Sequence, residues 1–222
     1  MNRRRSNRAR PRPPSSTAGP RQTTAPRGGG ELRIIGGEHR SRRLPVLQSP
    51  GLRPTPDRVR ETLFNWLAFE LVGRRALDLY AGTGALGLEA LSRGVAEVVF
   101  VESQPPVAAA IEENLARLHL SAHVERADVS DYLSAAPPAA TMRPFDLVFL
   151  DPPFRQELAA STCEQLERHG WLADEAFIYV ESEQPLEWSP PANWSLYRDV
   201  RAGDSHGRLF RRLAREHADE AR

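Results

Sequence analysis

The sequence predicts an α/β fold: a mostly parallel β-sheet covered by helices on both faces, with a small N-terminal extension. Three observations predict it. From Arg75 onward, short apolar runs alternate with runs of helical periodicity. The apolar runs at 76–80, 97–101 and 145–150 are nearly continuous rather than alternating, as in strands buried on both faces. The first of them ends at Ala81-Gly82-Thr83-Gly84, a glycine turn that opens directly into a helical pattern.

In chain order, residues 1–30 hold Arg, Pro, Ser, Thr and Gly with almost no large apolar side chain. Such a segment cannot bury enough surface to offset the entropy of ordering, so it is expected to be a disordered tail. Pro11, Pro13, Pro14 and Pro20 argue against an amphipathic transit helix there. Leu32-Arg33-Ile34-Ile35 and the run 44–47 flank Gly36-Gly37 and a basic segment with Arg40, Arg42 and Arg43, which reads as a hairpin or extended arm. Thr55-Pro56-Asp57 reads as a helix start, with Thr55 as N-cap, Pro56 at the first position and Asp57 on the positive end of the dipole. Val59, Leu63, Phe64, Trp66, Leu67 and Leu71 then follow at helical spacing. Beyond Arg75, strands are expected at 76–80, 97–101, 123–126, 145–150 and 176–181, and helices at 86–93, 105–118, 129–133 and 156–169. Residues 194–201 and 206–213 read as a closing antiparallel pair around Gly203. The chain thus divides into a tail (1–30), an arm and helix (31–72), an α/β domain (73–213) and a flexible C-terminal tail (214–222).

At 222 residues the chain suits one domain plus an appendage. No apolar run approaches the roughly 20 residues that span a bilayer. One cysteine, Cys163, cannot form an internal disulfide, which suits a reducing cytoplasm, and it reads as a small structural residue. The net charge of +1 hides an asymmetry. All 30 basic residues are arginine, and residues 1–60 hold fifteen of them against three acids, giving +12 before a body of −11. A basic front on an acidic body points to a polyanion met by the front. The plainer reading is that arginine use is compositional and the charges merely solvated.

Two motifs carry chemistry. In Leu77-Asp78-Leu79-Tyr80-Ala81-Gly82-Thr83-Gly84, a strand ends in glycines that let a ligand approach the backbone. Gly82 to Gly87 satisfies G-x-G-x-x-G, and Glu102 ends the next strand where an acid would meet ribose hydroxyls, so a dinucleotide-dependent oxidoreductase stays open. Asp78 favours a cationic aminoacyl ligand over a pyrophosphate. Asp128 could accept from an adenine amine or simply cap a helix. The second motif, Asp151-Pro152-Pro153-Phe154, follows an apolar strand at the end where open α/β sheets place their sites. Its prolines remove N–H donors, so the Asp151 carboxylate and the Pro152 carbonyl can hold both hydrogens of an amino group. Phe154 offers a face for a base.

Together these motifs resemble class I, Rossmann-like methyltransferases that act on amino nitrogens. More closely, Leu52-Arg53-Pro54-Thr55 and Asp57-Arg58-Val59-Arg60-Glu61-Thr62-Leu63-Phe64 resemble the RsmD family, bacterial 16S rRNA guanine-N2 methyltransferases. Ile34-Ile35-Gly36-Gly37 and Ile178-Tyr179-Val180-Glu181-Ser182 are similar too. The resemblance implies a seven-stranded sheet with an antiparallel last strand, S-adenosylmethionine as cofactor, and guanine 966 of the small ribosomal subunit as target. Catalytic roles then fall to Asp151, Pro152 and Phe154. Cofactor contacts fall to Asp78, Tyr80, Gly82, Thr83, Gly84, Glu102 and Asp128. RNA contacts fall to Arg40, Arg42, Arg43, Arg53, Arg58 and Arg60, with no metal and no membrane. A carboxylate at position 151 can accept both N1–H and N2–H of guanine, whereas adenine N1 is itself an acceptor. DNA adenine and protein glutamine methylation, and a non-catalytic RNA-binding factor, remain alternatives.

Overall fold

The computed structural model describes residues 30–47, 55–135, 143–153, 158–183, 188–203 and 205–213. Residues 1–29 of the expected tail at 1–30, the expected tail at 214–222, and the candidate residues Arg53 and Phe154 lie outside the described residues. Strands β1 (Glu31–Arg33) and β2 (Arg43–Pro45) pair as a two-stranded antiparallel arm, and helix α1 (Asp57–Trp66) follows. The α/β body is β3 (Arg75–Leu79), α2 (Ala85–Ser92), β4 (Glu97–Val101), α3 (Pro105–Leu118), β5 (His123–Glu125), α4 (Val129–Ser134), β6 (Phe145–Leu150), α5 (Leu158–Arg168), β7 (Leu172–Glu183), β8 (Trp194–Ala202) and β9 (Ser205–Arg212).

Seven strands form one sheet in the order β5-β4-β3-β6-β7-β9-β8. Strands β3 to β7 pair in parallel, and β9 runs antiparallel between β7 and β8. This is the seven-stranded arrangement with an antiparallel last strand. The apolar side chains of α1, α2, α3 and the arm fill one face of the sheet; those of α4 and α5, with Trp171 and Trp194, fill the other. The closing strands are less apolar because β8 is an edge: most of its side chains are exposed.

Three local expectations differ from the structure. The residue capping α1 is Pro56, not Thr55, and no side chain bonds the cap. Thr55 is buried, and its hydroxyl turns toward Asp151 instead. Helix α1 ends at Trp66 rather than reaching Leu71, because residues 67–70 form turns whose Leu67 and Leu71 still reach the core. Strand β7 begins at Leu172, four residues before the expected start, because Leu172 pairs with Phe145 ahead of a register shift.

The arm is bound to the body chiefly by α2. Glu89, fully buried, accepts hydrogen bonds from the backbone N–H groups of Ile35 and Gly36, both at 2.8 Å. Ser92 Oγ donates to the Gly36 carbonyl at 2.6 Å, and its own carbonyl accepts from Glu38 N–H at 2.7 Å. Gly37 has φ +76°, and a Cβ there would stand 1.8 Å from the Ser92 carbonyl oxygen. The close approach therefore requires glycine.

Candidate active site

The end of β3 forms the floor of the site. Asp78 is 2% exposed and accepts from Gly87 N–H at 2.9 Å. A Cβ on Gly87 would meet the Phe100 ring at 2.2 Å and the Asp78 carboxylate at 2.9 Å, so the third glycine lets α2 sit close on the strand. Gly82 and Gly84 adopt φ +53° and +71°, and Gly84 starts α2 in the left-handed region. Glu102 ends β4 and accepts from Gly82 N–H at 2.9 Å and Gln104 N–H at 2.8 Å, tying the glycine turn to the neighbouring strand. Thr83 is partly exposed in that turn. Tyr80, also at positive φ, engages Thr162 of α5 at 3.0 Å, so its ring serves the opposite face of the sheet. Asp128 is exposed and caps α4 through Ser130 N–H at 2.8 Å.

Asp151 and Pro152 follow β6, immediately past the pairing of Leu150 with Val180. That register sets Asp151 beside Glu181 at the end of β7, a neighbour the motif reading had not assigned a role. Glu181 is 4% exposed and accepts hydrogen bonds from Tyr179 Oη at 3.2 Å and from Ser205 Oγ. Burial, then the charges of Glu181 and Asp78, hold the Asp151 carboxyl well above its ordinary pKa; the Thr55 hydroxyl, 3.4 Å away, works in the other direction. Burial likewise raises Glu181. Burial, with Glu102 nearby, pushes Asp78 up to about 8, against the opposing bond from Gly87.

Among the described residues, none of these three carboxyls has an ion pair with a basic side chain. A ligand bringing positive charge relieves that crowding, and a pyrophosphate would worsen it. The ammonium and sulfonium of S-adenosylmethionine fit this floor. The described residues contain no group of His, Cys, Asp and Glu arranged to hold a metal ion.

The basic candidates divide. Arg40, Arg42 and Arg58 are exposed, with no ion pair among the described residues. Arg43 is exposed and paired with Glu31 at 2.8 Å. Arg60 does not belong with them. It is 1% exposed and donates to the carbonyls of Thr55 and Arg33 and to Asp57, with Glu89 3.7 Å away. An arginine facing α2 at helix spacing from Leu63 and Phe64 becomes an internal tie, not an RNA contact. The signal for it was position: 60 lies on the apolar face that 63 and 64 define.

Residues 32–211 match the model of the family described as conserved hypothetical protein 95. The chain belongs to this family. Within it, the chain is 50% identical over 194 residues to the ribosomal RNA small subunit methyltransferase D of Escherichia coli K12, covering 86% of this chain and 96% of that one. It is 42% identical over 185 residues to the Haemophilus influenzae protein of the same name, covering 83% and 96%. The solved structure of yhhF from Escherichia coli, 50% identical, matches with a TM-score of 0.74 over 84% of this chain and all of that one. The family match begins at Leu32 and so takes in the arm as well as the sheet.

Proposed function

We propose that this protein methylates small-subunit ribosomal RNA at the exocyclic N2 of a guanine, guanine 966, using S-adenosylmethionine. The carrying observation is the placement of Asp151 and Pro152 at the end of β6, beside the carboxylate floor of Asp78. The relatives' printed names support the rRNA substrate. The carboxylate at 151 supports guanine, since it can accept two adjacent donors.

S-adenosylmethionine supplies an electrophilic methyl group. The chain's residues do the rest by positioning. Asp78 would face the cationic aminoacyl end; Glu102 would meet the ribose and Asp128 the adenine amine, along a turn whose Gly82, Thr83 and Gly84 would leave room for the ligand. Thr55 donates to one oxygen of Asp151 and leaves the other, with the Pro152 carbonyl, to orient the target nitrogen. Phe154 stacks on the extruded base. The alkylated amine is acidic and loses its proton late, so no strong base is needed. Arg40, Arg42, Arg43, Arg53 and Arg58 contact phosphates, and the substrate is an assembling or assembled small subunit, which places the protein in the cytoplasm.

Methyl transfer from labelled cofactor to unmodified small subunits, naked rRNA and DNA tests this directly. N2-methylguanosine from the subunit, identified by mass spectrometry, is the expected product. Methyladenine in DNA, or no nucleoside product, would overturn the guanine reading. Asp151→Ala is expected to lower kcat by about 10²-fold or more while cofactor binding persists.

A further inference from the structure

Asp151 has a partner that orienting an amine does not require. Leu150 pairs with Val180, so one step further along Asp151 and Glu181 stand opposite one another, on strands about 4.8 Å apart. Side chains alternate along a strand, and paired residues share a face of the sheet. Phe149 pairs with both Asp78 and Tyr179, which puts Asp78, Asp151, Tyr179 and Glu181 on one face.

Glu181 is held in place rather than left loose. Tyr179 Oη donates to one of its oxygens at 3.2 Å, and Ser205 Oγ donates to the other. Its partner on β9 is Gly207, where a Cβ would collide with the Tyr179 hydroxyl, so the missing side chain makes room for that bond. Among the described residues, the groups facing the two carboxyls are Asp78 from β3, Tyr179 from β7, Ser205 from β9 and Thr55 ahead of α1. None of them is basic. Glu181 is buried, whereas Asp151 is partly exposed. Two adjacent carboxyls without a counter-charge do not both ionise readily, because the second charge must form in a buried place beside the first. A single proton held by the two relieves that repulsion.

Methyl transfer brings the missing counter-charge and then removes it. An amine oriented by Asp151 and alkylated in line has the sulfonium within a few ångströms of that carboxyl. As the nitrogen–methyl bond forms and the methyl–sulfur bond breaks, the positive charge passes from sulfur to nitrogen. The nitrogen then sheds a proton beside two carboxyls that no longer face a sulfonium, and no further base is needed. We propose that Asp151 and Glu181 together hold one proton in the ligand-free protein, release it when S-adenosylmethionine binds, and accept the proton shed by the methylated nitrogen. Glu181 acts here through Asp151. The proposal rests on the reading of Asp151 as the residue that orients the amine.

Calorimetric titration in buffers of different ionisation enthalpy counts the protons released on binding and needs no RNA. S-adenosylmethionine and S-adenosylhomocysteine share the aminoacyl group, so a proton lost by Asp78 to that group cancels between them. At neutral pH the full chain is expected to release about one more proton with S-adenosylmethionine. The ratio of the two affinities should then move about tenfold toward S-adenosylhomocysteine for each unit by which pH is lowered. In Glu181→Gln the difference is expected to vanish, because Asp151 is ionised before the ligand arrives, while S-adenosylhomocysteine binds with wild-type affinity. Tyr179→Phe removes a donor but no carboxyl, and should keep the difference. Equal proton release by the two ligands in the wild type, a difference that survives in Glu181→Gln, or one that disappears in Tyr179→Phe as well, would overturn the proposal. Failure of the wild-type chain to methylate any amino nitrogen would instead remove the reading on which it rests, whatever the proton count.

Discussion

Asp151 works among like charges. Glu181 on the neighbouring strand and Asp78 both raise its proton affinity, and among the described residues the Thr55 hydroxyl favours the carboxylate. In the proposed role Asp151 accepts an amine's hydrogens, an ability lost on protonation, so kcat/KM should fall on the acid side at a pH above the ordinary aspartate range. Glu181→Gln removes one negative neighbour and keeps a hydrogen-bond acceptor for Tyr179. The acid limb of the kcat/KM profile is expected to move to lower pH in that variant. A limb that stays in place would show that burial and Asp78, without Glu181, set the proton affinity of Asp151. The two groups titrate as a pair, so the profile reports the pair.

The N-terminal arm is an element with almost no core of its own. Each strand has three residues, of which Leu32 and Leu44 are buried. Beside the bonds that Ser92 makes to it, the arm is held by another side chain of α2: Glu89 receives two arm amides and Arg93 Nε, and it stands 3.7 Å from Arg60 Nη1. Arg60 in turn donates to the Arg33 carbonyl and to the Thr55 carbonyl, the residue that contacts Asp151. The backbone of the arm at Arg33 is therefore linked to Asp151 through Arg60 and Thr55. Glu89→Ala removes one of the two acids beside the buried Arg60, Asp57 being the other, and leaves two amides without an acceptor, which costs about 3–5 kcal/mol. Denaturant melts should register that loss, and hydrogen exchange should speed at Ile35 and Gly36 while Val148 stays protected. Unchanged protection of the arm amides would mean that Ser92 and the packing of Leu32 and Leu44 hold the arm without Glu89.

For the molecule as a whole, the carboxylate floor sets a pH dependence opposite to the usual acid denaturation. Asp78 has an ordinary value of 3.8 and a folded value of about 8. The ligand-free folded state therefore keeps a proton that the unfolded chain releases. Its contribution is full below about pH 4 and is lost as pH rises through about 8. Asp151 and Glu181 shift in the same direction and add to the slope. Asp78→Asn is expected to raise Tm at pH 8, by roughly 2–4 °C for each kcal/mol relieved, and to abolish cofactor binding. S-adenosylmethionine should stabilise the wild type at that pH and not the variant. A variant no more stable than wild type at pH 8 would mean that Asp78 ionises at no cost.

What the sequence determined by itself was local and periodic. Continuous apolar runs, glycines at a strand end and helical spacing located nearly every element of the body, because those patterns arise from the backbone geometry of the residues that carry them. They also located Asp78, Glu102 and Asp151, since each lies at a strand end that the pattern marks. Tertiary structure decided everything that depends on which distant residues meet. The pairing order put β9 between β7 and β8 and set Glu181 beside Asp151. The docking of the arm on α2 buried Arg60, which composition alone groups with the exposed arginines. It also turned Thr55 from a helix cap into a partner of Asp151, because a hydroxyl near both will bond wherever burial leaves an acceptor in reach. Charge counts treat all arginines alike; only the contacts formed on folding separate a guanidinium held inside from one left to meet a phosphate.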